Sequence, residues 1–199
     1  MSGKYRTIVA DPPWPFEWTG GGAVRSNGRG DRHLNQKFKK GLQYETMPVE
    51  DIAALPVDAL ADKDAHLFLW IPECHLIADH AATVLQGWGF DPGRARNLIW
   101  KKTGYGLGTW PRPQHETMVV CVRGKLPFAV RDQGSVVEAS HVYENGARKH
   151  SAKPDVFLDK IEQASPGPYL ELFARRARFC WDYYGDESLG TADLPEAVT

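Results

Sequence analysis

The sequence contains no apolar run approaching the roughly 18 to 20 residues that a membrane-spanning helix needs. Residues 1–6 lead straight into a strand-like run, with no space for the apolar centre of a secretory signal. A cytoplasmic location with no membrane partner is the expectation. Cysteine is scarce, with three residues among 199. Cys74, Cys121 and Cys180 lie far apart and outside any short paired spacing, which excludes a disulfide scaffold, a zinc knuckle and a Cys-x-x-Cys redox pair. They are expected to be core thiols. Seven histidines form no metal signature, and His75 and His80 are five apart, off the one-turn spacing that puts two ligands on one helix face. No metal site is expected. An excess of either charge is also lacking: 24 Lys and Arg stand against 25 Asp and Glu. That excludes a protein basic over its whole surface but leaves room for a local basic face. What remains is a chain with the length and 42% hydrophobic content of one globular domain, without internal repeat or linker, so residues 1–199 are read as a single domain.

Residues 6–10, Arg-Thr-Ile-Val-Ala, read as a buried parallel strand that stops at Asp11-Pro12-Pro13-Trp14, because proline cannot donate to a ladder. Residues 66–71 and 97–101, 117–122, 169–173 and 179–183 read as further strands. Helices are expected at 48–55, 73–85 and 154–164, the last opened by Pro154 near its first turn. Strands alternating with helices imply an α/β fold with a mostly parallel sheet. Two glycine-rich irregular stretches, 15–43 and 101–115, read as flexible loops facing a ligand, and 188–199 as a disordered tail. Between Pro15 and Gly41 six cations, Arg25, Arg29, Arg32, Lys37, Lys39 and Lys40, meet two acids, Glu17 and Asp31.

In open α/β sheets ligands collect at the carboxyl ends of the strands, which is where Asp11 to Trp14 sit. A carboxylate and a rigid, proline-held carbonyl can each accept one hydrogen bond from a planar amino group, while an adjacent indole can stack on the ring that bears it. That chemistry suits the exocyclic amine of a nucleobase. The same residues also suit an ordinary strand exit, with Asp-Pro starting a turn and Trp14 filling the core.

Asp11-Pro12-Pro13-Trp14 resembles the catalytic tetrapeptide of amino methyltransferases. The continuation resembles the MT-A70 family of adenine N6-methyltransferases, in compact bacterial or phage form. The similar segments, in order, are Tyr44 to Met47, Ile52, Leu55-Pro56, Leu67 to Trp70, Trp88 to Phe90, Trp100 to Lys102 and His115-Glu116. Arg123-Gly124, His150 to Pro154, Glu171 to Arg175 and Trp181 to Glu187 complete them. The resemblance implies a Rossmann-like methyltransferase sheet in permuted motif order, with helices on both faces and S-adenosyl-L-methionine as methyl donor. It assigns catalysis to Asp11, Pro12, Pro13 and Trp14. It assigns cofactor binding to Asp11, Lys153, Glu171, Phe173, Arg175, Arg176, Ala177, Arg178, Asp186 and Glu187, with Lys153 holding the donor's carboxylate. Relatives acting on RNA commonly carry His and Asn at the places of Ala177 and Arg178, and Asn-Gln or Asn-Glu at those of Asp186 and Glu187.

The residue types agree with these roles. Lys153 is a point charge at a helix start, where an anion is favoured, and Asp186 and Glu187 can accept from ribose hydroxyls. Equally, Lys153 suits a solvated helix cap and the arginines a surface cluster. Arg25, Arg29, Arg32, Lys39, Lys40, Lys101, Lys102, Trp110, His115 and Arg148 combine cations with aromatic faces and are expected to contact nucleic acid. The expected activity is methylation of adenine N6 in DNA. The alternatives are an RNA adenine methyltransferase and a catalytically inactive nucleic-acid-binding partner, with a homodimer or a heterodimer with a related subunit as possible assemblies.

Overall fold

The computed structural model describes residues 4–15, 46–105, 111–144, 147–148 and 152–184. Strand β1 (Tyr5–Ala10) is followed by α1 (Val49–Ala54), α2 (Val57–Leu60) and β2 (Ala61–Ile71), then by α3 (Glu73–Ile77) and α4 (His80–Gly87). After a 3-10 turn come β3 (Arg96–Lys102), β4 (His115–Arg123), β5 (Val136–Ala139), β6 (Tyr143–Glu144) and β7 (Ala147–Arg148). Helix α5 (Asp155–Ala164), β8 (Tyr169–Leu172) and β9 (Trp181–Tyr184) close the described chain.

Seven strands form one sheet in the order β5-β3-β4-β2-β1-β8-β9, and β6 pairs with β7 apart from it. β1 runs parallel to β2 and β8, β8 to β9, and β3 to β5. Strand β4 alone among these runs against its neighbours, β2 and β3. The expected α/β, mostly parallel, Rossmann-like sheet is the one observed.

Alternation along the central strands sends side chains to two cores. Ile8, Ala10, Leu67, Leu69 and Ile71 pack with Ile52 of α1, Val84 and Leu85 of α4, and Trp88 just beyond it. Val9, Phe68 and Trp70 pack on the other face with Phe157, Leu158 and Ile161 of α5 and with Trp181. Helices therefore cover both faces, and covered on both sides, β1 and β2 need apolar residues at consecutive positions. Both ring nitrogens of one core histidine are engaged. The Nε2–H of buried His66 donates to the Leu126 carbonyl at 2.9 Å, and its Nδ1 meets Ser165 Oγ at 2.7 Å. Burial holds the His66 pKa below its usual value, which keeps the ring neutral.

The structure departs from the sequence reading in several places. The helix expected at 73–85 is two helices, α3 and α4, because Asp79 adopts a left-handed backbone (φ 62°) between them. Helix α2 and strand β5 were not anticipated. Of the cysteines, only Cys121 is buried; Cys74 and Cys180 are exposed. Lys101, Lys102 and His115, expected in a flexible loop, belong to β3 and β4. Residues 16–45 and the 188–199 tail lie outside the described residues.

Candidate active site

The parallel strands deliver their carboxyl ends to one side of the sheet, and β4, running the other way, delivers its start there. Asp11 follows β1, Lys102 ends β3, Glu116 is the second residue of β4, and Glu171 lies on β8 opposite Val9. Lys153 arrives from the residues ahead of α5. Four of these groups, Glu171 excepted, form a chain of alternating charge. Lys102 Nζ is 2.7 Å from Glu116 Oε1, Glu116 Oε2 is 3.4 Å from Lys153 Nζ, and Lys153 Nζ is 2.8 Å from Asp11 Oδ2. Lys153 also sits 5.2 Å above the Trp70 ring.

Each carboxylate in the chain compensates a buried ammonium, since unpaired charge in such a place costs several kcal/mol, on the order of 3 to 5. Burial pushes the Lys153 pKa down, but Asp11 and Glu116 outweigh it and the net direction is upward. Burial likewise pushes Glu116 up, and Lys153 and Lys102 together bring it below the usual carboxylate value. Glu171 behaves otherwise. Burial dominates, Arg176 only partly opposes it, Asp11 adds to it, and its pKa is raised to about 7.

A cleft lined by Asp11, Lys153, Glu171 and Arg176, with Trp70 and Phe157 as apolar wall, occupies this end of the sheet. Phe173 and Arg175 also border it, so six of the expected cofactor-binding residues, Asp11, Lys153, Glu171, Phe173, Arg175 and Arg176, come together. The donor set fits an amino-acid zwitterion carrying a sulfonium: a cation for a carboxylate, acids for cationic groups and an apolar wall. Arg178 does not join them. Its guanidinium is 2.8 Å from Glu162 and 2.6 Å from Asp159 of α5, a structural tie that also holds Glu162 below the usual carboxylate range. Ala177 is exposed and outside the cleft lining. Asp186 and Glu187 lie outside the described residues.

The tetrapeptide differs from expectation in one respect. Trp14 is 6% exposed, its Nε1–H donates to the Trp70 carbonyl at 2.8 Å, and its ring lies 5.1 Å from that of His75. An indole N–H must find an acceptor when buried, and this one finds it inside, so Trp14 is scaffold and presents no open face for a base. Pro12 is buried, and its carbonyl already accepts the Trp14 N–H at 2.8 Å. A carbonyl has a second lone pair, which leaves Pro12 one further acceptor position. The Pro13 carbonyl is taken by the Met47 N–H at 2.8 Å.

Among the expected nucleic-acid contacts, Lys102 is corrected. It is 7% exposed and committed to Glu116, because it shares a strand face with Trp100 and lies 5.2 Å over that ring. Lys101 points outward and pairs with Glu138 at 2.9 Å. His115 is half-buried at the start of β4, opposite Lys101. Arg148 is described only as a backbone partner of Tyr143. Arg25, Arg29, Arg32, Lys39, Lys40 and Trp110 lie outside the described residues. Among the described residues no group of three or more His, Cys, Asp or Glu could hold a metal, and no helix is long and apolar enough to cross a membrane.

Sequence reasoning missed Glu116 and Trp70 as site residues. Trp70 was legible from parity, being two positions from Phe68 on the α5 face. Glu116 was not, since its place depends on the direction of β4.

A family model for MT-A70 matches residues 5–187. The chain is 28% identical over 194 residues to the Type II methyltransferase M.MunI of Mycoplasma sp, covering 92% of this chain and 78% of that protein. It is 28% identical over 182 residues to the N(6)-adenosine-methyltransferase catalytic subunit METTL3 of Homo sapiens, covering 87% of this chain but 26% of that protein. Over 133 residues it is 27% identical to the N6-adenosine-methyltransferase non-catalytic subunit MTB of Arabidopsis thaliana, covering 67% of this chain and 15% of the subunit.

Proposed function

The chain belongs to the MT-A70 family, and from that premise we propose that it transfers a methyl group to N6 of adenine in DNA, using S-adenosylmethionine as donor. The observation that carries the reading is the convergence of Asp11, Lys153 and Glu171 in one cleft at the carboxyl end of β1. Lys153, Glu171, Phe173, Arg175 and Arg176 would hold the donor, which supplies an electrophilic methyl group when bound. Asp11 and the free lone pair of the Pro12 carbonyl accept the two N6 hydrogens. They draw the nitrogen lone pair out of conjugation and fix its direction. The protein's contribution is alignment and a polar surrounding suited to charge moving from sulfur towards nitrogen. The target base leaves the stack to reach this cleft. DNA is favoured as substrate because the alignment with the Type II methyltransferase spans 78% of that relative. RNA is the second reading, supported by the likeness to the adenosine methyltransferase subunits. An inactive partner subunit is disfavoured by the intact Asp11 inside the cleft. A homodimer or a heterodimer with a related subunit accords with the likeness to subunits of larger assemblies.

Incubation with labelled donor and matched DNA and RNA, single- and double-stranded, followed by nucleoside analysis, tests the proposal. Labelled N6-methyladenine in DNA is expected. Asp11→Ala is expected to abolish transfer while donor binding by calorimetry persists, and near-normal turnover of that variant would sink the mechanism.

A further inference from the structure

Asp11 to Pro15 leave β1 without joining another strand, so their course depends on what grips them. Backbone bonds from Trp14 and Met47 supply part of the hold. The Asp11 N–H bond to Leu172, the Trp14 indole bond to Trp70 and the Asp11–Lys153 pair add to it, and beyond Trp14 a side chain of α3 takes hold. His75 is 7% exposed, its Nε2 lies 2.5 Å from the Pro15 carbonyl oxygen, and its ring centroid is 5.1 Å from that of Trp14 at a 31° tilt. On the other side its Nδ1 lies 2.7 Å from Nδ1 of His80, the first residue of α4.

The tautomers follow from the partners. Only a protonated nitrogen can bond a carbonyl, so Nε2 of His75 carries hydrogen. In the neutral ring Nδ1 must then accept, and His80 Nδ1–H is its donor. One carbonyl thus fixes the proton positions of two imidazoles, and both nitrogens of the buried ring are engaged. An apolar side chain would fill the same space against Trp14, so packing alone does not call for histidine here.

We infer that His75, backed by His80, is a positioning residue for methyl transfer. It ties α3 and α4 to Trp14 and Pro15 and so fixes the direction in which Asp11 and the Pro12 carbonyl face a shared amino group. The inference rests on the function proposed above. Misplacing reacting groups by about 1 Å can cost on the order of a hundredfold in rate, which sets the scale of the expected effect.

Three variants test it. His75→Phe keeps a ring against Trp14 and removes both hydrogen bonds. His75→Gln offers an N–H to the Pro15 carbonyl without the ring, and His80→Ala removes only the second bond. Amide hydrogen exchange at Asp11 and Trp14, donor affinity by calorimetry and single-turnover methylation are measured for each. For His75→Phe the Trp14 amide is expected to exchange about tenfold or more faster. Its transfer rate should fall about tenfold to a hundredfold while the donor Kd stays within about twofold. His75→Gln is expected to recover most of the protection and rate, with His80→Ala between the two. Unchanged protection or an unchanged transfer rate in His75→Phe overturns the inference. So does a rate loss that follows thermal midpoint across the variants instead of exchange at Trp14. If the wild-type protein makes no N6-methyladenine, the functional reading fails, and the exchange comparison still decides whether His75 positions the tetrapeptide.

Discussion

Glu171 is the group in the cleft whose charge is least settled at neutral pH, because burial lifts its pKa from the ordinary 4.5 to about 7. Between those two values the folded protein keeps a proton that the unfolded chain has lost. Stability therefore falls as pH rises through that window, and the loss is complete above the upper value. Glu171→Gln should melt higher than wild type at pH 8 and level with it near pH 4, as scanning calorimetry can check. A cationic donor beside the carboxylate lowers its pKa, so donor affinity should tighten from pH 6 to pH 8 by up to about tenfold. In Glu171→Gln that pH dependence should be flat. Glu116 works in the opposite sense. Although burial raises it, the adjacent lysines bring it below its ordinary value, so its stabilisation is present above that value and lost as pH falls through the lowered one. Glu116→Gln strands the Lys102 ammonium and should cost about 1 to 3 kcal/mol in denaturant unfolding. That is less than for a fully buried pair, because the Glu116 side chain keeps 31% exposure.

Among the elements, α1 and α4 cross closely at Gly87. A Cβ on Gly87 would lie 2.4 Å from the Ala53 carbonyl oxygen, backbone that cannot swing aside. Gly87→Ala should push the helices apart and destabilise by about 1 to 3 kcal/mol, visible as a lower thermal midpoint. Elements with long apolar runs, β1 and β2, were legible in the sequence because covering on both faces demands such runs. Strand β5 was not, since only Val137 of its four residues is buried. The break between α3 and α4 hides in an apolar spacing that continues through it, with nothing but the backbone angle of Asp79 to mark it. Lys102 was readable in retrospect: two positions from Trp100 on an alternating strand, it had to face inward with it. The tetrapeptide and Lys153 could be placed from sequence because proline and strand ends are local signals. Glu116 and the His75 contact depend on strand direction and helix packing, which are not local.

Over the whole molecule, a formal charge of −1 conceals unevenness. Between Pro15 and Gly41 cations outnumber acids, immediately after the tetrapeptide. Reversing charge together at Arg29, Arg32, Lys39 and Lys40 should weaken nucleic-acid binding and flatten its dependence on salt, as titrations at several ionic strengths would show. An unchanged slope would place the docking surface elsewhere. The direction of β4 has a consequence of its own. Had it run with its neighbours, the link from β3 would have crossed to the far rim. Instead the end of β3 and the start of β4 lie side by side, joined by the Lys102 N–H to the Gln114 carbonyl at 2.9 Å. Lengthening the connection between them costs little loop entropy and leaves every register in the sheet intact. The antiparallel strand thereby separates the part that can be exchanged from the part that must persist. A change of length or sequence between Lys102 and Gln114 therefore leaves the sheet and the groups it aligns at the cleft unaltered.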